Sequence, residues 1–272
     1  MILTIETMYH IPNCPSIALL TDFHNSDPTP IIASLEQHSP ELICIAGDII
    51  VGKRPEGDVS PLNTQEHVLP FLQACASIAP TFLSLGNHEW MLDENDLSAL
   101  SSTSVTVLDN SFSTAAVNGE NIVIGGLTSG FVTDYRHFRK ECANVDRYPQ
   151  REDMHGIGGF VSEHKPEIDW LDGYCSTPGY HILLCHHPEY WPLISRHPID
   201  LVLSGHAHGG QWRIYNPLKK EWIGIYAPGQ GWLPKWSRGV YQDRLVVSAG
   251  LSNTTRIPRI WNPTEIVYLD SL

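Results

Sequence analysis

Nine short runs of apolar and β-branched residues are spread along the chain, at 16–21, 42–46, 81–85, 105–108, 122–126, 181–185, 201–204, 244–248 and 266–269. Each is too short for a buried helix and bounded by turn-forming residues, so each reads as a strand. Helical patterns fall between them at 64–78, 94–100 and 166–175, and Pro166 and Glu167 suit the first turn of the last one. Strands interleaved with helices over the whole length predict an α/β protein: a layered sheet sandwich flanked by helices. The later part carries more strand than helix, which predicts mixed rather than purely parallel sheets. No repeat, low-complexity tract or linker divides the chain, so residues 1–272 read as one domain.

One segment interrupts this scheme. Residues 131–165 are polar and aromatic, with Tyr135, His137, Phe138, Arg139, Lys140, Arg147 and Arg151 ahead of a glycine-rich stretch at 156–159. A long irregular insertion in a compact enzyme is often a lid or cap. A solvated surface excursion is the plainer alternative.

Seventeen basic residues against thirty acidic ones give a formal net charge of -13. That balance argues against a duplex nucleic-acid binder, which needs Lys and Arg to neutralise phosphates. It leaves an anionic small molecule open, because bound dications would reverse the local field. The six cysteines are widely spaced, with no Cys-x-x-Cys pair, and read as reduced thiols of a cytoplasmic protein. No charged start followed by an apolar stretch marks a secretory leader, and no apolar run approaches the ~20 residues of a membrane span. Nothing in the pattern specifies an oligomeric state.

Five of the nine runs end in motifs rich in metal-ligand residues. These are Asp22-Phe23-His24, Gly47-Asp48, Gly86-Asn87-His88-Glu89, His186-His187-Pro188 and Gly205-His206-Ala207-His208. In α/β folds, ligands gather at the C-terminal ends of strands, where residues distant in sequence meet. Carboxylates, imidazoles and one amide oxygen suit Mn, Fe or Zn, and the motifs hold no thiolate. Glycines before Asp48, Asn87 and His206 permit turns that a side chain would obstruct. Any one motif alone reads as a turn or a surface histidine; five in succession read as a metal centre.

In this order the motifs resemble the signature of the calcineurin-like metallophosphoesterases, over residues 22–208. The tail is similar to bacterial YkuE- and YaeI-like phosphoesterases: Gly209-Gly210-Gln211, Gly250-Leu251, Pro258-Arg259 and Pro263-Thr264-Glu265-Ile266, the last departing from a plain Pro-Glu-Ile. The resemblance implies two divalent ions. The first would take Asp22, His24, Asp48 and His208; the second would take Asp48, Asn87, His186 and His206, with Asp48 bridging. His186 is preferred to His187 because the ligand stands two residues before the proline. His88 would face the substrate, donating a proton to the leaving oxygen or stabilising phosphoryl charge, and Glu89 would orient its neighbours or serve structure alone. The implied activity is hydrolysis of a small-molecule phosphate ester, a diester first, by a bridging metal-activated water or hydroxide. A pyrophosphatase acting on a nucleotide-linked lipid or sugar, or a phosphomonoesterase, is the alternative. A non-catalytic scaffold is disfavoured because every motif position is filled. Ser204 and Cys185 read as packing residues. Trp212, Trp222, Trp232 and Trp236 read as core or rim residues, or as contacts for a base or acyl chain.

Overall fold

The computed structural model describes residues 4–52, 60–141, 164–218, 220–253 and 257–271. The first half holds β1 (Thr4–His10), β2 (Ile17–Leu20), α1 (Thr29–His38), β3 (Leu42–Ala46), α2 (Val68–Ile78), β4 (Thr81–Ser84), α3 (Glu94–Ser101) and β5 (Thr106–Leu108). Then come β6 (Ser111–Val117), β7 (Glu120–Leu127), α4 (Gly130–Glu141), α5 (Leu171–Ser176), β8 (Tyr180–Cys185), α6 (Trp191–Ile194) and β9 (Leu201–Ser204). The last part is strand only: β10 (Arg213–Asn216), β11 (Glu221–Gly224), β12 (Tyr226–Ala227), β13 (Gly231–Trp232), β14 (Gly239–Tyr241), β15 (Leu245–Val247) and β16 (Thr264–Asp270).

Two six-stranded sheets form, in the orders β1-β16-β2-β3-β4-β5 and β14-β15-β9-β8-β7-β6. Each contains a run of four parallel strands: β2 to β5, which β16 joins antiparallel with β1 parallel beyond it, and β15, β9, β8, β7, which β14 and β6 flank antiparallel. Alternation along the strands sorts the core into three layers. Leu19, Leu42 and Cys44 meet Ile182, Leu184 and Leu203 between the sheets. Leu20, Ile43 and Ile45 point the other way, toward Leu35 of α1 and Phe71 and Leu72 of α2. Leu183 and Val202 pack on Leu171, Tyr174 and Ile194 on the opposite outer face. Central strands are thus buried on both faces, which is why they are continuously apolar. The architecture is the α/β sandwich with mixed sheets that the sequence predicts.

Several boundaries differ. The helix expected at 64–78 is a 3-10 turn at Pro61–Thr64 followed by α2. The one expected from Pro166 starts at Leu171; in the turn before it the Trp170 indole N–H donates to the Glu167 carbonyl (2.9 Å). Edge strands β1 and β6 escape the apolar pattern because they are only half buried, with exposed residues alternating along them. Residues 130–141 are helical, not irregular. Most of the rest of the insertion, 142–163, lies outside the described residues. The stem is closed: the Tyr190 hydroxyl donates to the His164 carbonyl (2.7 Å) and accepts the Gly130 N–H (3.3 Å).

Among the described cysteines none is paired, and Cys14, Cys44, Cys75 and Cys185 are buried. Cys142 lies outside the described residues. No described helix is long and apolar enough to cross a membrane. Leu184 is fully buried between the sheets. Leu184→Ala is expected to lower stability by about 2–5 kcal/mol, the loss of buried methyls plus an uncollapsed cavity; chemical denaturation would measure it.

Candidate metal centre

At the C-terminal ends of the central strands, hydrogen bonding continues into the loops. Asp22 N–H donates to Gly47 O (3.2 Å), His24 N–H to Asp48 O (3.2 Å), and Gly205 N–H to His186 O (3.0 Å). The loops lie so close that a Cβ on Gly86 would stand 2.3 Å from Asp48 Oδ1, and one on Gly205 2.0 Å from Thr21 Oγ1. Glycine is required at both by contact, whatever their φ. Backbone conformation then re-aims the side chains. Asp22, His24, Asp48, His206 and His208 have φ of 54°, 44°, 56°, 61° and 46°. That left-handed region is uncommon for residues with a Cβ and clusters at functional sites.

Of the seven side chains expected to bind metal, Asp22, His24, Asp48, His186, His206 and His208 converge, and Asn87 stands in the turn whose Gly86 touches Asp48. Asp48 Oδ2 is 3.1 Å from His186 Nε2, 3.9 Å from His24 Nε2 and 3.8 Å from His88 Nε2. Asp22 Oδ1 is 3.6 Å from His208 Nε2 and 3.8 Å from His24 Nε2. Three metal-capable groups overlap here: Asp22/His24/His208, His24/Asp48/His88 and Asp48/His186/His206. The donor set also fits a cation by an independent criterion. Asp22 Oδ1, His24 Nε2, Asn87 Oδ1, His186 Nε2 and His206 Nε2 are all buried without a hydrogen-bond partner. Buried polar atoms are normally satisfied, so five orphans aimed into one region need a shared explanation, and a metal supplies it. The opposite ring nitrogens of two of the histidines are anchored: His24 Nδ1 to Ile50 O (2.9 Å) and His186 Nδ1 to Ala46 O (2.6 Å). A backbone carbonyl there keeps the proton on Nδ1 and leaves Nε2 free as a ligand.

Glu89 proves to be the staple of the site. Its buried carboxylate accepts four backbone N–H groups: Gly86 (2.7 Å) and Asp48 (2.8 Å) on Oε2, Ile49 (2.9 Å) and Ile50 (3.3 Å) on Oε1. It therefore ties the loop after β3 to the loop after β4. Burial and the Asp48 charge push its pKa up, to about 7, against the pull of those four donors.

Burial disfavours charge on every ring of the centre. At His24 and His186 the carboxylates of Asp22 and Asp48 overcome it and raise the pKa, to about 10 at His186. At His88, His187, His206 and His208 burial wins and the pKa falls, to about 4 at His208. Burial also works against charge on Asp22 and Asp48, but neighbouring imidazoles outweigh it, His208 foremost for Asp22 and His186 for Asp48, and both carboxyls stay below their usual range. Ionised carboxylates and several neutral imidazoles are the protonation states that metals require.

His187 has both ring nitrogens engaged, Nε2 with Ser129 Oγ (2.7 Å) and Nδ1 with Glu189 Oε1 (3.3 Å). Two residues at the centre carry no signal in the five motifs. Glu189 forms a further metal-capable group with His187 and His206, its Oε1 3.7 Å from His206 Nε2. The hint was a carboxylate three residues beyond His186. Arg259, noted only as part of the tail pattern, donates through Nη2 to His208 Nδ1 (3.1 Å) and to Ser252 O (2.5 Å).

A family model described as calcineurin-like phosphoesterase matches residues 15–210. An uncharacterized metallophosphoesterase of Campylobacter jejuni is 26% identical over 275 residues, covering 96% of this chain and 60% of that protein; this chain thus spans about three-fifths of its length. UDP-2,3-diacylglucosamine pyrophosphatase LpxG of Chlamydia trachomatis is 24% identical, over 94% of this chain and 83% of its own. Phosphodiesterase YaeI of Escherichia coli is 27% identical, over 75% of this chain and 64% of its own.

Glu89→Gln replaces an acceptor oxygen by an N–H₂ group facing backbone donors. It is expected to cost about 1–3 kcal/mol, the penalty for a buried unsatisfied polar group, and to weaken metal binding without removing any ligand. Thermal denaturation and metal titration measure the two effects; unchanged values in both would refute the staple role. Asp48→Asn takes a charge from the middle of the overlapping groups, so bound metal per chain, counted by elemental analysis, should fall below that of the unsubstituted protein.

Proposed function

The chain belongs to the calcineurin-like phosphoesterase family, and from that premise we propose that it is a phosphodiesterase working through two divalent metal ions. The observation that carries this reading is the set of five orphaned, buried ligand atoms around Asp48. Asp22, His24, Asp48 and His208 would hold one ion; Asp48, Asn87, His186 and His206 would hold the other. Carboxylate, imidazole and amide donors suit Mn, Fe or Zn. When bound, such a pair supplies positive charge to the phosphoryl group and a hydrolytic nucleophile near neutral pH.

The protein's own contribution is orientation and proton placement. The Gly52 N–H donates to His88 Nδ1 (2.8 Å), so the neutral ring carries its proton on Nε2. That nitrogen lies 3.8 Å from Asp48 Oδ2 and so on the inner side of the ring. Both observations support a role for His88 in donating a hydrogen bond to a phosphoryl or leaving-group oxygen. The insertion at 131–165 adjoins it: the Phe131 ring lies edge-on to Trp90 (6.2 Å), two residues beyond His88. This supports a role for the insertion as a cap that contacts the rest of the substrate. Within the insertion Arg136 is held in place, its Nη1 donating to Asp109 Oδ2 (2.7 Å).

The relative named as a phosphodiesterase supports the diester reading. The relative named as a diacylglucosamine pyrophosphatase favours a second one, cleavage of a nucleotide-linked lipid or sugar. Assay of the metal-loaded protein on an aryl diester, an aryl monoester and a nucleotide pyrophosphate separates them. The diester is expected to turn over fastest; faster pyrophosphate cleavage puts the second reading first, and no turnover of any of the three with two ions bound would overturn both. His88→Ala should keep both ions and lose about 10²–10⁴-fold in rate. A larger loss on alkyl than on nitrophenyl esters marks proton donation to the leaving group; equal losses mark stabilisation of phosphoryl charge.

A further inference from the structure

Of the eleven large hydrophobic side chains left exposed among the described residues, nine fall between residues 214 and 261. Monomeric proteins scatter such residues; a concentration of this size marks an interaction surface. The same stretch reverses the charge of the chain. Residues 212–262 hold eight Lys and Arg against two acidic residues, Glu221 and Asp243, a net charge of +6. The remainder then carries -19, since the whole is -13.

The surface is continuous. The Tyr215 and Trp222 rings meet across the β10–β11 hairpin at 5.7 Å, and Trp222 meets Trp261 edge-on at 5.6 Å. A groove of about 270 Å³ between these two tryptophans also takes Arg213 and Arg238 in its walls. A second groove, of about 670 Å³, runs from Trp222 to Leu233 and Lys235. Two guanidinium groups thus lie within an aromatic rim, Arg238 paired with the buried Glu265 and Arg213 donating to Trp222 O (2.8 Å), so among the described residues the unpaired positive charge of the face rests on its lysines. At the tip of the hairpin Leu218 is 94% exposed, and Leu233 and Trp261 are 66% and 65% exposed. Leu233 and Trp261 also have φ of +53°, a conformation bulky side chains rarely adopt. Strain held at exposed apolar residues serves no packing purpose, so it points to a role outside the fold.

We propose that this face, formed by the β10–β11 and β12–β13 hairpins and the Trp261 loop, docks on an anionic lipid bilayer. Tryptophan and tyrosine rings favour the headgroup boundary, exposed leucines enter it, and basic residues draw the face to anionic lipid. An acidic protein partner would meet the charges equally well but would leave the exposed Leu218, followed in the sequence by two lysines, without a purpose. The docked face adjoins the centre, because β10 begins five residues after His208 and Trp261 follows Arg259 by two.

Co-sedimentation of the full chain with phosphatidylglycerol-containing and pure phosphatidylcholine vesicles tests this. Binding is expected to the anionic vesicles alone and to weaken with salt. Leu218→Ser combined with Leu233→Asn should reduce it by roughly tenfold or more. The Asn tolerates the left-handed backbone, so the melting temperature should hold or rise, and turnover of a soluble ester should not change. Lys220→Glu with Lys235→Glu should also reduce binding by roughly tenfold or more. No sedimentation with anionic vesicles, or binding that both variants leave intact, overturns the proposal. A concentration-dependent dimer abolished by Leu218→Ser/Leu233→Asn, without vesicle binding, would assign the face to a second copy of the chain instead.

Discussion

Four backbone N–H groups end on the buried Glu89 carboxylate, and much of the centre's geometry follows from that arrangement. They belong to two loops separated by some forty residues of chain, which leave neighbouring parallel strands β3 and β4 side by side. With the loops tied, Asp48 Oδ1 receives the His88 N–H at 2.8 Å, and Asn87 and His88 are carried into place. In so dry a setting a charge-assisted hydrogen bond is strong, and an unmade one is correspondingly costly. Gly86 completes the arrangement by leaving no Cβ where Asp48 Oδ1 lies.

Strain and charge at the centre are carried by the sandwich beneath it. Five of the six converging residues are in left-handed backbone conformations, each costing on the order of 1–3 kcal/mol. The continuous apolar layers below, both within and outside the paired sheets, offset that cost. The electrostatics follow from the same burial. Desolvation opposes charge on every group, so what remains ionised is what its neighbours compensate. Asp22 and Asp48 are held below their usual range by imidazoles, and His24 and His186 are raised above theirs because those carboxylates outweigh burial. A cation competes with protons on these rings for the same lone pairs, so metal binding at such a centre releases protons.

After His208 the chain leaves the sandwich and does not return to it until β14, building two small hairpins on the way. These hairpins and the insertion after β7 are the additions to the core, and both adjoin the metal loops. Family membership accounts for the core and its ligand types. In the hairpins, charge and exposed apolar surface both depart from the rest of the described residues.

The central strands, the α/β class and the candidate ligand residues were legible in the sequence because each is a local signal. A strand buried on both faces must be apolar throughout, and a ligand at its end must be an acid, an amide or a histidine. Helix α4 was missed although Phe131, Tyr135 and Phe138 stand at i, i+4 and i+7, because the charged residues between them gave the segment a solvated, irregular look, and edge strands β1 and β6 were hidden by their exposed faces. The role of Glu89, the engagement of both His187 nitrogens and the positions of Glu189 and Arg259 were decided by tertiary structure alone. Each depends on groups from different loops approaching within about one hydrogen-bond length. Such distances are set by which strands lie adjacent and how their ends are tied, information that no single stretch of residues contains.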